Sequence, residues 1–491
     1  MNELMRWTID LFRRDPVPRE YRSTIAGAAV LLLTVSSLVV KLPPPTATQS
    51  LSAAQQRGTP IPDPSASAQQ TAAPAVTGAA PTFGPTQRAA GQKPKPIATR
   101  GGVNVTLDPG GVPVADLFAA AEDHIGINST TITLCAHAAL SLGKAFNTDA
   151  DDFNVYWKWL ADHGGVYNRN IDMHWEDDAY SPDVAVKTAA PACQALNPFF
   201  MLGGIGFEQI PAVRKWAEDN RMLYIHHVAT EDLTKKFSYS YLVTEEKLGE
   251  LAGEWMVSHH RGEDIGIIHR GSGDWDPGWL AFKRVVAGKV NIKADDSVIK
   301  NQGTYTKEIK DMQDAKAATV FVWENALAAI NIIEQARNQT FHPVWLLFPF
   351  NTTTDTLPVD PLDKPFEGIA AWPAYASGPH SGMYAEEMAV FEAAQAKYGT
   401  QGHDPNDILW QVWLGMKQLN QLFLDCGKDC TRNKIAGLML TGKHKAITPG
   451  CPIDFSKNGH VAGITGNAFE SFVSPANKLG WRETLSCQEH F

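Results

Sequence analysis

The chain has 491 residues and a formal charge of −10, more than one compact core usually holds, which predicts two or three structural units. Charge is unevenly placed: six basic against four acidic residues in 1–42, five against one in 43–100, and 32 against 48 in 101–491. An acidic folded part argues against a sequence-independent nucleic-acid binder, which needs basic surface to displace counterions from phosphates. A hydrophobic content of 44% is too high for a disordered chain and fits a globular part with its own core.

Residues 1–22 read as a cytoplasmic N-terminal segment and 23–42 as a transmembrane helix or signal anchor. Residues 23–40 (STIAGAAVLLLTVSSLVV) carry no charge, and five arginines precede them. Eighteen residues at ~1.5 Å rise span about 27 Å, near the lower limit for the bilayer core. The basic flank favours an N-terminus held in the cytoplasm and everything after Lys41 outside, so the expected location is the cell membrane, single-pass, with an extracellular domain. A cleaved signal peptide, which would make the protein secreted, is the competing reading; Pro43, Pro44 and Pro45 directly after the apolar run weigh against it. Residues 43–100 hold 11 of the 31 prolines and read as a Pro/Ala-rich disordered linker, an extended tether. Residues 101–491 are then the binding domain.

All six cysteines lie beyond the membrane segment, on its oxidising side, so disulfides are expected. Six cysteines allow fifteen pairings; the one of shortest separation joins Cys135 to Cys193, Cys426 to Cys430 and Cys451 to Cys487. A zinc site at Cys426 and Cys430 is the alternative, but C-x-x-x-C has no second matched pair of ligands.

From residue 130 short β-branched runs alternate with helical stretches. In chain order the expected elements are a strand at 130–136, a helix at 153–163 ended by Gly164 and Gly165, a strand at 170–175, and a helix at 182–196 with Pro191 placed to kink it. A strand at 199–202, a helix at 211–220 and a strand at 223–226 follow. The rhythm then restarts: helices at 245–259, 278–286, 306–315 and 326–338 alternate with strands at 265–269, 290–293, 319–322 and 344–348. Such alternation means βαβ units, and two series predict an α/β fold of two Rossmann-like lobes with parallel sheets joined by a hinge. Lobe one is expected at about 129–240 and 376–450, lobe two at about 241–375 with the C-terminal segment. Ligands bind at the carboxyl ends of parallel strands, so the cleft between the lobes is the expected site.

The run YWKWLADHGGVYNRNIDMHWEDDAYSP at 156–182 resembles one in extracellular solute-binding proteins of the branched-chain amino acid type, the type I periplasmic-binding fold of ABC transport systems. The matching positions are Gly164, Gly165, Val166, Arg169, Asp177, Asp178 and Pro182. Four further pieces are similar in the same order: LYIHHVAT at 223–230, GDWDPG at 273–278, CGKDCTR at 426–432 and FSKNGH at 455–460. The resemblance covers about 129–485. It implies capture of a small organic ligand such as an amino acid or amide, an ABC permease as partner, and no cofactor. It places Ala229 and Thr230 at a ligand carboxylate on lobe one, with the loop of Gly204, Gly206 and Phe207 as the other half of that subsite. Gly206 and Phe207 stand where the family commonly has a Ser, which tilts the ligand toward something larger or more apolar than a simple amino acid; backbone amides of the loop would still hold an anion. On lobe two Trp275 falls where the family often has an aromatic lid, Trp323 is placed similarly after a strand, and Asn351 follows the next one. Glu324 is the nearest acid for an amine, or else a solvated helix start.

No HExxH, Gly-x-Ser-x-Gly or GxxxxGK[ST] motif is present, and the expectation is a non-enzyme. His226 and His227 end a strand at the cleft, where a metal or general-base role is the functional alternative. His259 and His260 read as a helix cap, and Asp177 and Asp178 as a loop or surface pair. A sensor or scaffold on the same fold, and a cleft hydrolase, remain as alternatives; 22 residues before the span are too few for a cytoplasmic output domain.

Overall fold

The computed structural model describes residues 97–491, except 101–102, 108–112, 116, 144–147, 205, 207, 227–235, 272–275, 301, 348–356, 373–377, 380, 456–459, 462 and 464. Residues 1–96, where the membrane segment and most of the linker are expected, lie outside the described residues. Among the described residues no helix is long and apolar enough to cross a membrane. Ile97–Arg100 (β1), expected as the end of the linker, instead pairs antiparallel with Val103–Leu107 (β2), which pairs with Pro113–Ala115 (β3). A tether boundary drawn on proline content alone overlooked β1, whose Ile97 and Thr99 suit an extended backbone.

Lobe one is built on Thr131–Ala138 (β4), Asn170–Asp177 (β5), Met201–Gly203 (β6), Tyr224–His226 (β7) and Ser238–Ser240 (β8), all parallel, in the order β5-β4-β6-β7-β8. β4 is covered on both faces: Ile132, Leu134 and Ala136 join one core, Cys135 the other. That double burial is why the strand reads as a continuous apolar run. Val155–Asp162 (α1) and Ile210–Asp219 (α2) lie on opposite faces, with the helical stretch 182–195 beside α2. The expected kink at Pro191 is taken up as a π-turn over Ala185–Ala189, the turn that the proline's missing N–H and its ring clash disrupt.

Glu245–His259 (α3) begins lobe two. Asp264–Arg270 (β9), Asp276–Val286 (α4), Asn291–Val298 (β10), Thr306–Asp314 (α5), Thr319–Trp323 (β11), Ala326–Asn338 (α6), Val344–Leu347 (β12) and Glu367–Ala370 (β13) follow. The chain returns to lobe one for Ala385–Tyr398 (α7), Asp407–Cys426 (α8) and Arg432–Leu440 (α9), then adds Gly466–Val473 (β14) and Leu479–Gln488 (β15) to lobe two. The second sheet runs β10-β9-β11-β12-β13-β14-β15, parallel as far as β13 and antiparallel beyond. In both lobes the first strand lies between the second and third, so each sheet reverses its winding beside β4 or β9 and opens a crevice at the carboxyl ends there.

Two crossings between the lobes run side by side. Ser240 pairs with Val461, the Ser240 N–H donates to the His460 carbonyl at 2.8 Å, and Gly463 lies so close that a Cβ would sit 2.3 Å from the Val243 nitrogen. The disulfides are Cys135–Cys193, which ties β4 to its covering helix, Cys426–Cys430 at the end of α8, and Cys451–Cys487, which joins the segment after α9 to β15. This is the shortest-separation pairing, and all six sulfurs are used. At the end of lobe one opposite the crevice, the Asn433 side chain accepts the Leu117 and Phe118 N–H groups at 2.9 Å each and donates to the Phe118 carbonyl. Arg432 donates to the carbonyls of Phe199 and Pro198 at 2.7 and 2.6 Å.

α3 and α4 meet through glycine: a Cβ on Gly249 would lie 1.8 Å from the Gly278 carbonyl oxygen, and one on Gly278 would lie 1.8 Å from the Trp323 ring. Gly249→Ala is therefore expected to destabilise the protein by about 1–3 kcal/mol. Gly415→Ala, in α8 with open space around it, should be neutral or stabilising by up to about 1 kcal/mol. Equal midpoints in urea for the two variants would refute the close approach.

Beyond capping α3, as expected of it, His260 is mostly buried, with Nε2 2.8 Å from Glu367 and Nδ1 3.1 Å from Glu263. Burial works to lower the His260 pKa, but the bonds to Glu367 and Glu263 overcome it and hold it above the ordinary 6.5. Burial works to raise Glu367, and the bonds from His260 and Trp255 hold it below the ordinary 4.5 instead. The histidine contribution is full below its unfolded value and lost as pH rises through the raised one. The carboxylate contribution is full above its unfolded value and lost as pH falls through the lowered one. The melting-temperature gap between the parent and His260→Gln should thus be widest between pH 4.5 and 6.5 and narrow in alkali. A gap independent of pH would count against the pairing.

Candidate functional site between the lobes

Polar residues end the apolar strands where the two crevices face each other. On lobe one, His137 near the end of β4 holds Asp178 through Nδ1 at 2.7 Å and the Tyr224 hydroxyl through Nε2 at 2.7 Å. Gln209 donates to the same Asp178 oxygen at 2.9 Å, and the Tyr180 N–H donates to the other at 2.9 Å. His137, Asp178, Gln209 and Tyr224 are fully buried. Burial first, and the nearby Asp178 charge second, push the Tyr224 hydroxyl far above its ordinary pKa, so it stays a donor. A proton on Nδ1 and an acceptor at Nε2 then satisfy the whole chain from Tyr224 to Asp178.

On lobe two, Arg270 ends β9 and is 1% exposed. Its Nε donates to Glu324 Oε2 at 2.7 Å, its Nη2 donates to Glu324 Oε1, and its Nη1 reaches across to Glu208 Oε1 of lobe one at 2.7 Å. Lys300, just past β10, pairs with the other Glu208 oxygen and lies 5.2 Å from the centre of the Tyr180 ring. Burial works to lower the Arg270 pKa, but Glu324 and Glu208 overcome it and hold it above its ordinary value. Burial pushes the Glu324 carboxyl up, with Arg270 opposing. Two acids and two bases thus meet here, and of these Arg270, Glu324 and Glu208 are nearly sealed from water, where each charge depends on its partner.

The structure places the expected site residues unevenly. Phe207, Ala229, Thr230, Trp275 and Asn351 lie outside the described residues, as does His227. Gly204 is buried, and its N–H donates to the His137 carbonyl at 2.8 Å, so that amide belongs to the sheet and does not hold an anion; a Cβ there would meet Ala138 at 2.6 Å. Gly206 has φ +138°, a turn conformation that glycine favours. Trp323 is fully buried in the core of lobe two, because β11 is covered on both faces; its neighbour Glu324 turns to the lobe interface. Glu324 is neither solvated nor open to an amine, since Arg270 occupies both its oxygens. Asp178 is not a surface residue: β5 ends beside β4, with Asp177 opposite Ala138, so Asp178 turns onto His137 while Asp177 faces solvent. His226 is 2% exposed and bonds Ser238 Oγ at 3.2 Å.

Sequence reasoning missed His137, Glu208, Arg270, Lys300 and Tyr224. For His137, Arg270 and Glu324 a signal existed, an ionisable residue closing a largely apolar strand (TITLCAH, DIGIIHR, TVFVWE). Two other clusters resemble metal sites in composition, Asp149/Asp152/His403 and His342/Asp360/Asp363. Both are already internally paired. Asp152 accepts from Thr400 N–H and Gln395 at 2.8 Å each, from Asp149 N–H at 3.1 Å and lies 2.6 Å from His403. Asp363 takes Arg337 and His342.

The family model described as periplasmic binding protein matches residues 146–468. Among solved structures, the chain is similar to a fatty acid ABC transporter substrate-binding protein from Thermomonospora curvata, at 15% identity and a TM-score of 0.61 over 78% of this chain and 96% of that one. A solute-binding protein of an ABC transporter from Rhodopseudomonas palustris, in complex with 3,4-dihydroxybenzoic acid, aligns at 15% identity and 0.58 over 73% and 98%. The branched-chain amino acid transporter substrate-binding protein from Streptococcus pneumoniae, with isoleucine, aligns at 12% identity and 0.56 over 72% and 100%. At these identities the likeness is one of fold. No curated protein matches the chain.

Asp178→Ala leaves His137 and Gln209 without their acceptor in a dry site, and about 3 kcal/mol of stability should go with it. Asp177→Ala, at an exposed position, should cost under about 1 kcal/mol. Denaturant titration of both checks this, and equal losses would overturn the assignment.

Proposed function

The chain belongs to the periplasmic binding protein family, and from that premise we propose that it is a membrane-tethered extracellular solute-binding protein that captures a small organic ligand between its lobes for ABC-type uptake. The observation that supports this reading is the facing of two strand-end crevices, each at the point where its sheet reverses winding, with side chains of both lobes meeting across them. The described half of the site binds by charge and hydrogen bonds. His137, which links a hydroxyl to a carboxylate there, is sealed from solvent and so is not placed to act as a base on a bound ligand.

Ala229 and Thr230 on lobe one, with Phe207, and Trp275 and Asn351 on lobe two complete the proposed contact set, with the aromatic residues favouring a ligand larger or more apolar than a simple amino acid. The related structures named above hold isoleucine and 3,4-dihydroxybenzoic acid. Amino acids, amides and aromatic acids are therefore the first compounds to try. The uncharged run at 23–40 serves as the membrane anchor and the Pro-rich stretch as the tether, and three disulfides suit an oxidising exterior.

A thermal-shift screen of the purified chain against these compounds should find one that raises the melting temperature as its concentration rises. With that ligand, Trp275→Ala and Thr230→Ala should weaken binding about tenfold or more, about 1.4 kcal/mol, while Trp216→Ala on α2 leaves it unchanged. Equal weakening by all three would place the ligand elsewhere, and silence across the whole screen would sink the reading.

A further inference from the structure

Glu208 belongs to lobe one by chain position, five residues beyond the end of β6, yet its carboxylate is held by lobe two. Oε1 accepts from Arg270 Nη1 at 2.7 Å, and Oε2 pairs with Lys300 Nζ. Arg270 is itself fixed from behind by Glu324, which takes its Nε and Nη2, so the remaining edge of the guanidinium points across the interface. Lys300 comes from the loop after β10 and touches lobe one a second time at the Tyr180 ring. The Glu208 side chain is 10% exposed and that of Arg270 1%, so solvent and salt screen their attraction poorly. Two cations of one lobe therefore surround an anion of the other at the winding reversal of both sheets, the place where an incoming anionic group would be met.

We propose that Glu208 is an internal latch: it occupies the position between Arg270 and Lys300 that an anionic ligand group would take, and so holds the cleft closed without ligand. Opening requires the release of Glu208, and its return closes the lobes again. A ligand that carries a carboxylate gains Arg270 and Lys300 only by displacing Glu208, so the latch lowers apparent affinity by the fraction of chains that are closed. The displacement step rests on the proposed ligand site between the lobes, whereas the latch itself rests on the contacts across the interface and is tested with no ligand present.

Interlobe distance tests it in the full chain with no ligand added. Spin labels carried on non-natural side chains at Lys187 in lobe one and Lys310 in lobe two, both well exposed, report that distance by double electron–electron resonance. The parent should give one short-distance population. Glu208→Gln, which keeps the shape and removes the charge, should add a longer-distance population, and Lys300→Met should do so to a smaller extent. Distance distributions that match the parent in both variants, with folding verified by circular dichroism, overturn the proposal. Should Glu208→Gln fail to fold, Lys300→Met decides alone, since its side chain is 38% exposed and its replacement leaves Arg270 with both carboxylates.

Discussion

A guanidinium removed from water has to be matched by carboxylates, and at Arg270 that requirement binds the two halves of the molecule to each other. Glu324 of the same lobe balances its charge and takes two of its nitrogens, and Glu208 of the other lobe takes the third, so the guanidinium has a carboxylate on every nitrogen only when the lobes are together. The rest of the architecture serves that meeting. Parallel strands buried on both faces carry mostly apolar residues along their length and keep their charged or ionisable ones near the ends. Two sheets with the same winding order set those ends opposite each other. Chemistry concentrates at the interface because the strands have nowhere else to put a charge.

The two lobes solve the same problem differently. Lobe one gathers a closed hydrogen-bonded chain, from Tyr224 through His137 and Asp178 to Gln209, that stiffens its strand ends without facing outward. Lobe two presents cations on its rim, and its rigidity there comes from core packing: Trp323 under Glu324, Gly278 against Trp323, and α3 against α4. A fixed wall and a charged wall make a cleft whose electrostatics change when the distance between them changes.

Much of the fold was legible in the sequence because its signal is local. Apart from β8, a three-residue SYS in what reads as a loop to Tyr241, the alternating strands and helices labelled from β4 to β12 were foreseen, since each pairs an apolar run with turn residues at its ends. What escaped was less periodic. β10 runs to Val298, but its second half, ADDS, is polar because it is an edge strand with one side toward solvent. β13 is a four-residue EGIA with no run to detect, and β15 is half exposed with Arg, Glu and Gln along it. The facing strand ends were legible, but the residues that meet there were not. Glycine at Gly204 signalled close packing rather than a ligand cradle, and an aromatic at Trp323 signalled a core. The pairing of Glu208 with Arg270 joins residues 62 apart in the sequence and in different lobes, and no local pattern announces it.

The clamp formed by Asn433 and Arg432 has a mechanical meaning. It grips residues 117–123 and the strand starts at the end of lobe one farthest from the cleft. A pull on the chain ahead of Leu117 would therefore meet α9 first, through several hydrogen bonds at the end of lobe one away from the hinge crossings and Glu208. Tension from the N-terminal side would thus fall on lobe one, at the end away from the gap between the lobes.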